Sequence, residues 1–137
     1  MVREFTDPER MAQEAAAQGV DHLVLSPWVR LLPFGYPLAE ARKICAVQND
    51  ALAALVAGRP DRFSALGAVP LQDPAAAAED LLKARADGLT GVELTPGIAG
   101  RYLGDDAFEP FWEAAEGSGA LPSAAPGDAR AANACLQ

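Results

Sequence analysis

Residues 62–74 read RFSALGAVPLQDP, and the punctuation of this stretch points to the fold. The run from Phe63 to Val69 is short and apolar, Pro70 stops it, and Asp73-Pro74 opens a new element. A short apolar run bounded by turn signals is the pattern of a strand buried on both faces, and such strands belong to parallel sheets covered by helices. The Asp73 carboxylate can accept orphan N–H groups in the first turn of a helix. Pro74 suits the first helical position because its missing N–H would have had no partner there. The stretch therefore predicts a strand end, a short loop and a helix start. In an α/β barrel, such loops gather on the face that carries chemistry.

The same grammar repeats on either side. Asp7-Pro8 predicts a helix through Ala17 ended by Gly19, and residues 20–26 (VDHLVLS) then read as a strand closed by Pro27. A loop rich in aromatics and prolines follows over residues 27–37, and a long helix over residues 38–57. Ile44, Val47, Ala51 and Leu55 recur on one face of that helix and are its expected buried stripe. Beyond the helix over residues 74–86, Gly91 to Thr95 (GVELT) reads as a strand and residues 96–104 as a glycine-rich loop. Asp106 with Glu109 resembles a capping box for a last helix containing Phe111 and Trp112, with Pro110 tolerated in its first turn.

Strands starting near Phe63, Gly91 and Ala120 would be spaced by 28 and 29 residues. The period of a barrel with eight βα units is about 31. The expected architecture is α/β, a partial TIM (β/α)8-like barrel of about half the ring, with parallel strands alternating with helices. Residues 1–121 form the partial barrel in this reading. The strand due at Ala120 meets Pro122 and Pro126 and no β-branched residue, so residues 122–137 are expected to be an irregular Ala/Pro/Ser-rich tail.

Composition narrows the function classes. The 137 residues are 50% hydrophobic, enough for one domain with a real core. No apolar run reaches bilayer length and the start lacks a signal-peptide core, so no membrane association is expected. Cys45 and Cys135 form no CxxC, and the expected compartment is the cytoplasm with both thiols reduced. A net charge of −8 without clustered Lys or Arg argues against a nucleic-acid partner.

The segments GVDHLVLSP, the Asn49-Asp50 pair, RF…GAVPLQDP, GVEL and FEPFWEAAEGSGAL, in that order, resemble the amidohydrolase-related decarboxylases of the aminocarboxymuconate-semialdehyde type. The resemblance spans roughly residues 7–121. It implies a metal-dependent α/β barrel, often dimeric, that removes CO2 from small unsaturated or aromatic carboxylates without an organic cofactor; some relatives hydrolyse instead. The family's divalent metal, usually zinc, is held by a His-x-His pair on the first strand, a His on the fifth and a later Asp, with a further His on the sixth handling protons. This chain departs from that set. It begins after the first strand in this reading, and the strand-five histidine position holds Ala125. No metal ligand and no catalytic residue carries over, and no cofactor is expected in this chain.

His22, the single histidine, sits at the wrong end of its strand for a zinc site and reads as structural. Glu93 alternates with Val92 and Leu94, so it faces a barrel interior as a pocket carboxylate or is simply a hydrogen-bonded one. Trp28, Phe34 and Tyr36 lie on the loop after the first predicted strand, where they either line a substrate or pack among prolines. Arg30 on the same loop either pairs with a substrate carboxylate or is solvated. Gly97 and Gly100 lack the lysine and the full glycine pattern of a phosphate cradle. Phe111 and Trp112 read as core. The expected function is thus that of a metal-dependent decarboxylase or hydrolase, with this chain a truncated, inactive portion of one. The alternative is a non-catalytic half-barrel that binds a small ligand, or that forms homodimers or aggregates through open sheet edges.

Overall fold

In the computed structural model, which describes residues 7–124, the 62–74 stretch supplies a strand, a loop and a capped helix. The elements are α1 (Pro8–Ala17), β1 (Leu23–Leu25), a 3-10 turn (Val29–Leu31), α2 (Leu38–Gly58), β2 (Phe63–Gly67), α3 (Pro74–Ala86) and β3 (Gly91–Leu94). They continue with β4 (Gly97–Ile98), β5 (Arg101–Tyr102), a second 3-10 turn (Asp106–Phe108), α4 (Glu109–Ser118) and β6 (Leu121–Ala124). Asp7 and Asp73 both cap as their sequence context predicts, accepting from the N–H of Arg10 at 3.1 Å and of Ala76 at 3.0 Å. The strands β1-β2-β3-β6 form one sheet in that order, and every pair is parallel. The architecture is a segment of an α/β barrel.

Side-chain alternation sorts the sheet into two faces. Val92 and Leu94 pack with Leu81 of α3 and Phe111 of α4 in the main core, which also takes Val69, Leu71, Ile98 and Phe108. Ala65 packs with Ala84, Leu89 and, from α2, Leu52 and Val56. Period-two alternation and the strand register then put Ser64, Leu66, Glu93 and Ser123 on the face opposite the helices. Two glycines permit close approaches, one to the neighbouring strand and one to α2. A Cβ at Gly91 would lie 1.8 Å from the Leu121 carbonyl oxygen, and one at Gly67 would lie 2.6 Å from Asn49 Oδ1. Arg85 locks the far end, donating from Nε to Ser118 O at 3.2 Å and from Nη1 to Leu89 O at 2.8 Å.

Four expectations need correction. The strand read at residues 20–26 shrinks to Leu23–Leu25. Helix α2 buries Ala41, Cys45 and Asn49 instead of the Val47 and Ala51 stripe, and Val47 is 71% exposed. The better-packed face of this helix carries small and polar residues, which an apolar-periodicity reading passes over. No side chain caps α4, whose N-cap position is Phe108; a 3-10 turn precedes it, and Asp105 caps that turn, accepting from Ala107 N–H at 2.9 Å.

Finally, residues 121–124, expected to be irregular from 122 onward, form β6 in register with β3. Leu121 N–H donates inward to Thr90 O at 3.1 Å, so the next residue's N–H direction faces the outer edge. Proline at 122 therefore removes a donor that no neighbouring described strand would use. The rest of the predicted tail, residues 125–137, lies outside the described residues.

Candidate functional site

Because the four strands are parallel, their C-terminal ends share one rim, and the loops after β1, β2 and β3 meet there. The first loop, residues 26–37, carries three of the predicted residues at its surface: Trp28 and Tyr36 are 59% and 57% exposed, and Arg30 is exposed. The Arg30 guanidinium stacks over the Trp28 ring, 5.8 Å from its centroid, so cation and ring form one presented unit. Phe34 turns inward instead, partly buried against Leu32, Cys45 and Ala68 on one side and the main core on the other. Glu93 is 6% exposed on the sheet face opposite the helices, one residue before β3 ends. The structure thus places Trp28, Arg30 and Tyr36 on the loop after β1, and Glu93 on β3, two strands away in the sheet.

The rim is organised by three side-chain amides. Asn49 of α2 is buried and grips Ala68, the first residue after β2: Ala68 N–H donates to Oδ1 at 2.7 Å, and Nδ2 donates to Ala68 O at 2.9 Å. The bare backbone of Gly67 makes room for that grip. Gln48 Nε2 donates to Leu31 O at 3.0 Å, and Gln72 Nε2 donates to Pro33 O at 2.9 Å and Tyr36 O at 3.1 Å. Sequence reasoning did not single out Gln48 or Gln72. The available signal for Gln72 was an uncharged polar residue wedged between a strand end and a helix cap.

The glycine-rich loop is a tight hairpin. β4 and β5 pair antiparallel, with positive φ at Ala99 and Gly100 in the turn, as a two-residue hairpin requires. Ile98 anchors it in the core, and Trp112 Nε1 donates to Leu103 O at 2.8 Å. The hairpin backbone is therefore paired with itself rather than open as a phosphate cradle. Phe111 is fully buried in the core, and the partly buried Trp112 packs edge-on against it at 5.1 Å between ring centroids.

His22 precedes β1 at the opposite end of the sheet. Its Nε2 lies 2.8 Å from Ser64 Oγ and its Nδ1 3.2 Å from Asp61 O. A carbonyl only accepts, so Nδ1 carries the proton and the imidazole bridges β1 to β2. Among the described residues no three His, Cys, Asp or Glu side chains converge as a metal ion needs, so these residues do not fit a divalent metal site. A cleft of about 240 Å³ between α2 and α3 is lined by Arg42, Lys43 and Lys83 against Asp50, Asp80 and Asp87. Its charges balance, and Arg42 is already committed to Asp80 at 2.6 Å and Glu79 at 3.1 Å. Cys45 at its base is buried, and that burial pushes the thiol up to about 12. No helix among the described residues is long and apolar enough to cross a membrane.

Comparison with known proteins supplies the family. The chain is 36% identical over 106 residues to gamma-resorcylate decarboxylase of Rhizobium sp. (strain MTP-10005), covering 70% of this chain and 32% of that protein. It is 29% identical over 115 residues to 2-amino-3-carboxymuconate-6-semialdehyde decarboxylase of Dictyostelium discoideum, covering 83% and 32%. The crystal structure of 5-carboxyvanillate decarboxylase from Novosphingobium aromaticivorans, complexed with manganese and 4-hydroxy-3-methoxy-5-nitrobenzoic acid, superposes with a TM-score of 0.75 at 30% identity. That superposition covers 82% of this chain and 32% of the decarboxylase. The chain therefore spans about a third of the length of the curated relatives it matches. The amidohydrolase family profile matches residues 30–123, and the chain belongs to that family.

Proposed function

We propose that this chain forms the substrate-lining part of a metal-dependent carboxy-lyase that acts on a small aromatic or unsaturated carboxylate, and that it does not turn over by itself. The observation that carries this reading is the Arg30–Trp28 unit, displayed with Tyr36 at the strand-end rim of a chain whose relatives are named as decarboxylases of such acids. Arg30 offers a planar pair of donors to a carboxylate, and the Trp28 ring holds that guanidinium in place. Tyr36 supplies a flat amphipathic contact, and Glu93 a buried carboxylate on β3. In the complete reaction a divalent metal, zinc or manganese, would bind the substrate and polarise it. The described residues here hold no place for that ion, so no step through it is assigned to them.

Isothermal titration with 4-hydroxy-3-methoxybenzoate tests the binding half, with Arg30→Ala and Trp28→Ala expected to weaken affinity at least about tenfold, the scale of a lost charge-assisted contact. Unchanged affinity in both variants would remove these residues from the site. Release of CO2 from 5-carboxyvanillate by the purified chain with added manganese or zinc would overturn the claim of inactivity.

A second reading has its own support. Val24 on β1 and Leu121 on β6, at the two margins of the sheet and on the face opposite the helices, are 58% and 54% exposed. Apolar groups at open edges favour pairing with another chain, including a second copy. Sedimentation equilibrium showing a monomer at all concentrations would exclude obligate pairing.

A further inference from the structure

The loop after β1 contains no strand or α-helix between Leu25 and Leu38. Its middle is anchored by burial, with Leu32 8% exposed and Pro33 fully buried. That anchor divides the exposed part of the loop into two lobes. The first, residues 28–31, carries the Arg30–Trp28 stack and is closed by a backbone bond from Leu31 N–H to Trp28 O at 2.8 Å. The second, residues 34–37, carries Tyr36, whose N–H donates to Pro33 O at 3.2 Å. A single turn fixes several dihedral angles for one hydrogen bond, and such a turn does not persist in water by itself. Each lobe therefore needs a contact from outside it. Gln48 of α2 donates from Nε2 to Leu31 O at 3.0 Å, at the end of the first lobe. Gln72, on the loop after β2, donates from Nε2 to Pro33 O at 2.9 Å and to Tyr36 O at 3.1 Å, across the second. The two amides come from different elements and share no acceptor.

We infer that Gln48 and Gln72 are positioning residues of the proposed site and that they act separately. Gln48 fixes the turn that presents Arg30 and Trp28 to the carboxylate, and Gln72 fixes Tyr36 as the flat contact for the ring of an aromatic acid. This deepens, and rests on, the reading that the rim binds such acids. Neither amide is assigned a contact with the acid; each holds the backbone from which the binding side chain projects. A neutral amide suits that task, because it donates to a carbonyl without adding a charge that would compete with Arg30 for the carboxylate.

The test is isothermal titration of 4-hydroxy-3-methoxybenzoate into the full chain, Gln48→Met and Gln72→Met, each variant alone and combined with Arg30→Ala or Tyr36→Ala. Methionine keeps the reach of glutamine and removes the donor. Each single variant is expected to weaken binding about fivefold, the affinity equivalent of one lost hydrogen bond. Gln48→Met should have no further effect in Arg30→Ala, nor Gln72→Met in Tyr36→Ala, whereas the crossed pairs should combine independently. A merely structural role would weaken binding by the same factor in every background, and that pattern overturns the inference while leaving the rim reading in place. Amide exchange with solvent, followed by NMR on 15N-labelled protein, should quicken at Leu31 in Gln48→Met only and at Tyr36 in Gln72→Met only. Unchanged exchange in both variants would show that the amides hold nothing. In the unaltered chain the acid is expected to slow exchange at both N–H groups, a readout that depends on no variant; binding without that slowing also overturns the inference. Failure of the acid to bind the unaltered chain overturns the rim reading and this inference with it.

Discussion

Replacing Asn49 by alanine is the perturbation whose consequence the structure specifies most sharply. Two short hydrogen bonds, 2.7 and 2.9 Å, join its buried amide to both backbone groups of Ala68. In Asn49→Ala the N–H and C=O of Ala68 lose their partners inside the fold. Each stranded buried group costs about 1–3 kcal/mol, so a loss of about 2–4 kcal/mol is expected once water reaches part of the space left behind. Against a total stability of about 5–15 kcal/mol for a domain, that is a large fraction. With a urea m-value of about 1–3 kcal/mol/M, the unfolding midpoint should fall by about 1–2 M, read by far-UV circular dichroism. A shift worth less than about 0.5 kcal/mol would refute the reasoning, because it would mean that Ala68 is satisfied without Asn49.

Asn49→Asp sharpens the test through pH. One carboxylate oxygen still accepts from Ala68 N–H, but the other faces Ala68 O, and two acceptors cannot bond unless the acid is protonated. Its folded pKa would therefore be raised above the ordinary carboxylate value of about 3.9. Stability contributed by the protonated acid is fully present below the unfolded pKa and is lost as pH rises through the folded one. The variant should approach the unaltered protein in strong acid and fall behind it towards neutrality. A gap independent of pH would show that the oxygen does not face Ala68 O.

Gly91→Ala is expected to break the β3–β6 pairing, since the added methyl would sit 1.8 Å from the Leu121 carbonyl oxygen; amide exchange along β6 that stays as slow as before would contradict this. In a Cys135→Ser background, Cys45 should resist a thiol reagent at pH 8 until urea unfolds the chain, because burial holds its thiol near 12. Labelling of the native protein within minutes would place that sulfur at the surface. Asp73→Ala should cost about 1 kcal/mol, the usual loss for an N-cap whose side chain accepts a first-turn N–H, here that of Ala76 at 3.0 Å. An unchanged unfolding midpoint would mean that water replaces the cap.

The parallel order of the strands was legible because it depends on local signals: Asp-Pro at helix starts, glycines at helix ends, and short apolar runs spaced by one βα unit. Those signals act within a few residues of chain, so a linear reading captures them. The faces of the elements were less legible. α2 buries Ala41, Cys45 and Asn49 while Val47 stays exposed, because Asn49 meets the end of β2 through a hydrogen bond to Ala68 and the space above Gly67, while Leu52 and Val56 supply the apolar contact with Ala65. β6 was missed because the cost of proline in a strand depends on which side its absent N–H faces, and only the pairing with β3 decides that.

The same division runs through the candidate site. Trp28, Arg30, Phe34, Tyr36 and Glu93 were nameable from their positions after or within predicted strands. Phe34 turning into the core while its neighbours stay at the rim, and Gln72 reaching back across 36 residues to Tyr36, were not. The sequence by itself determined that helices and strands alternate, and with that the edge of the sheet where loops collect. Tertiary structure alone decided which side chains hold those loops, because an amide's partners are chosen by the carbonyls that folding brings within reach.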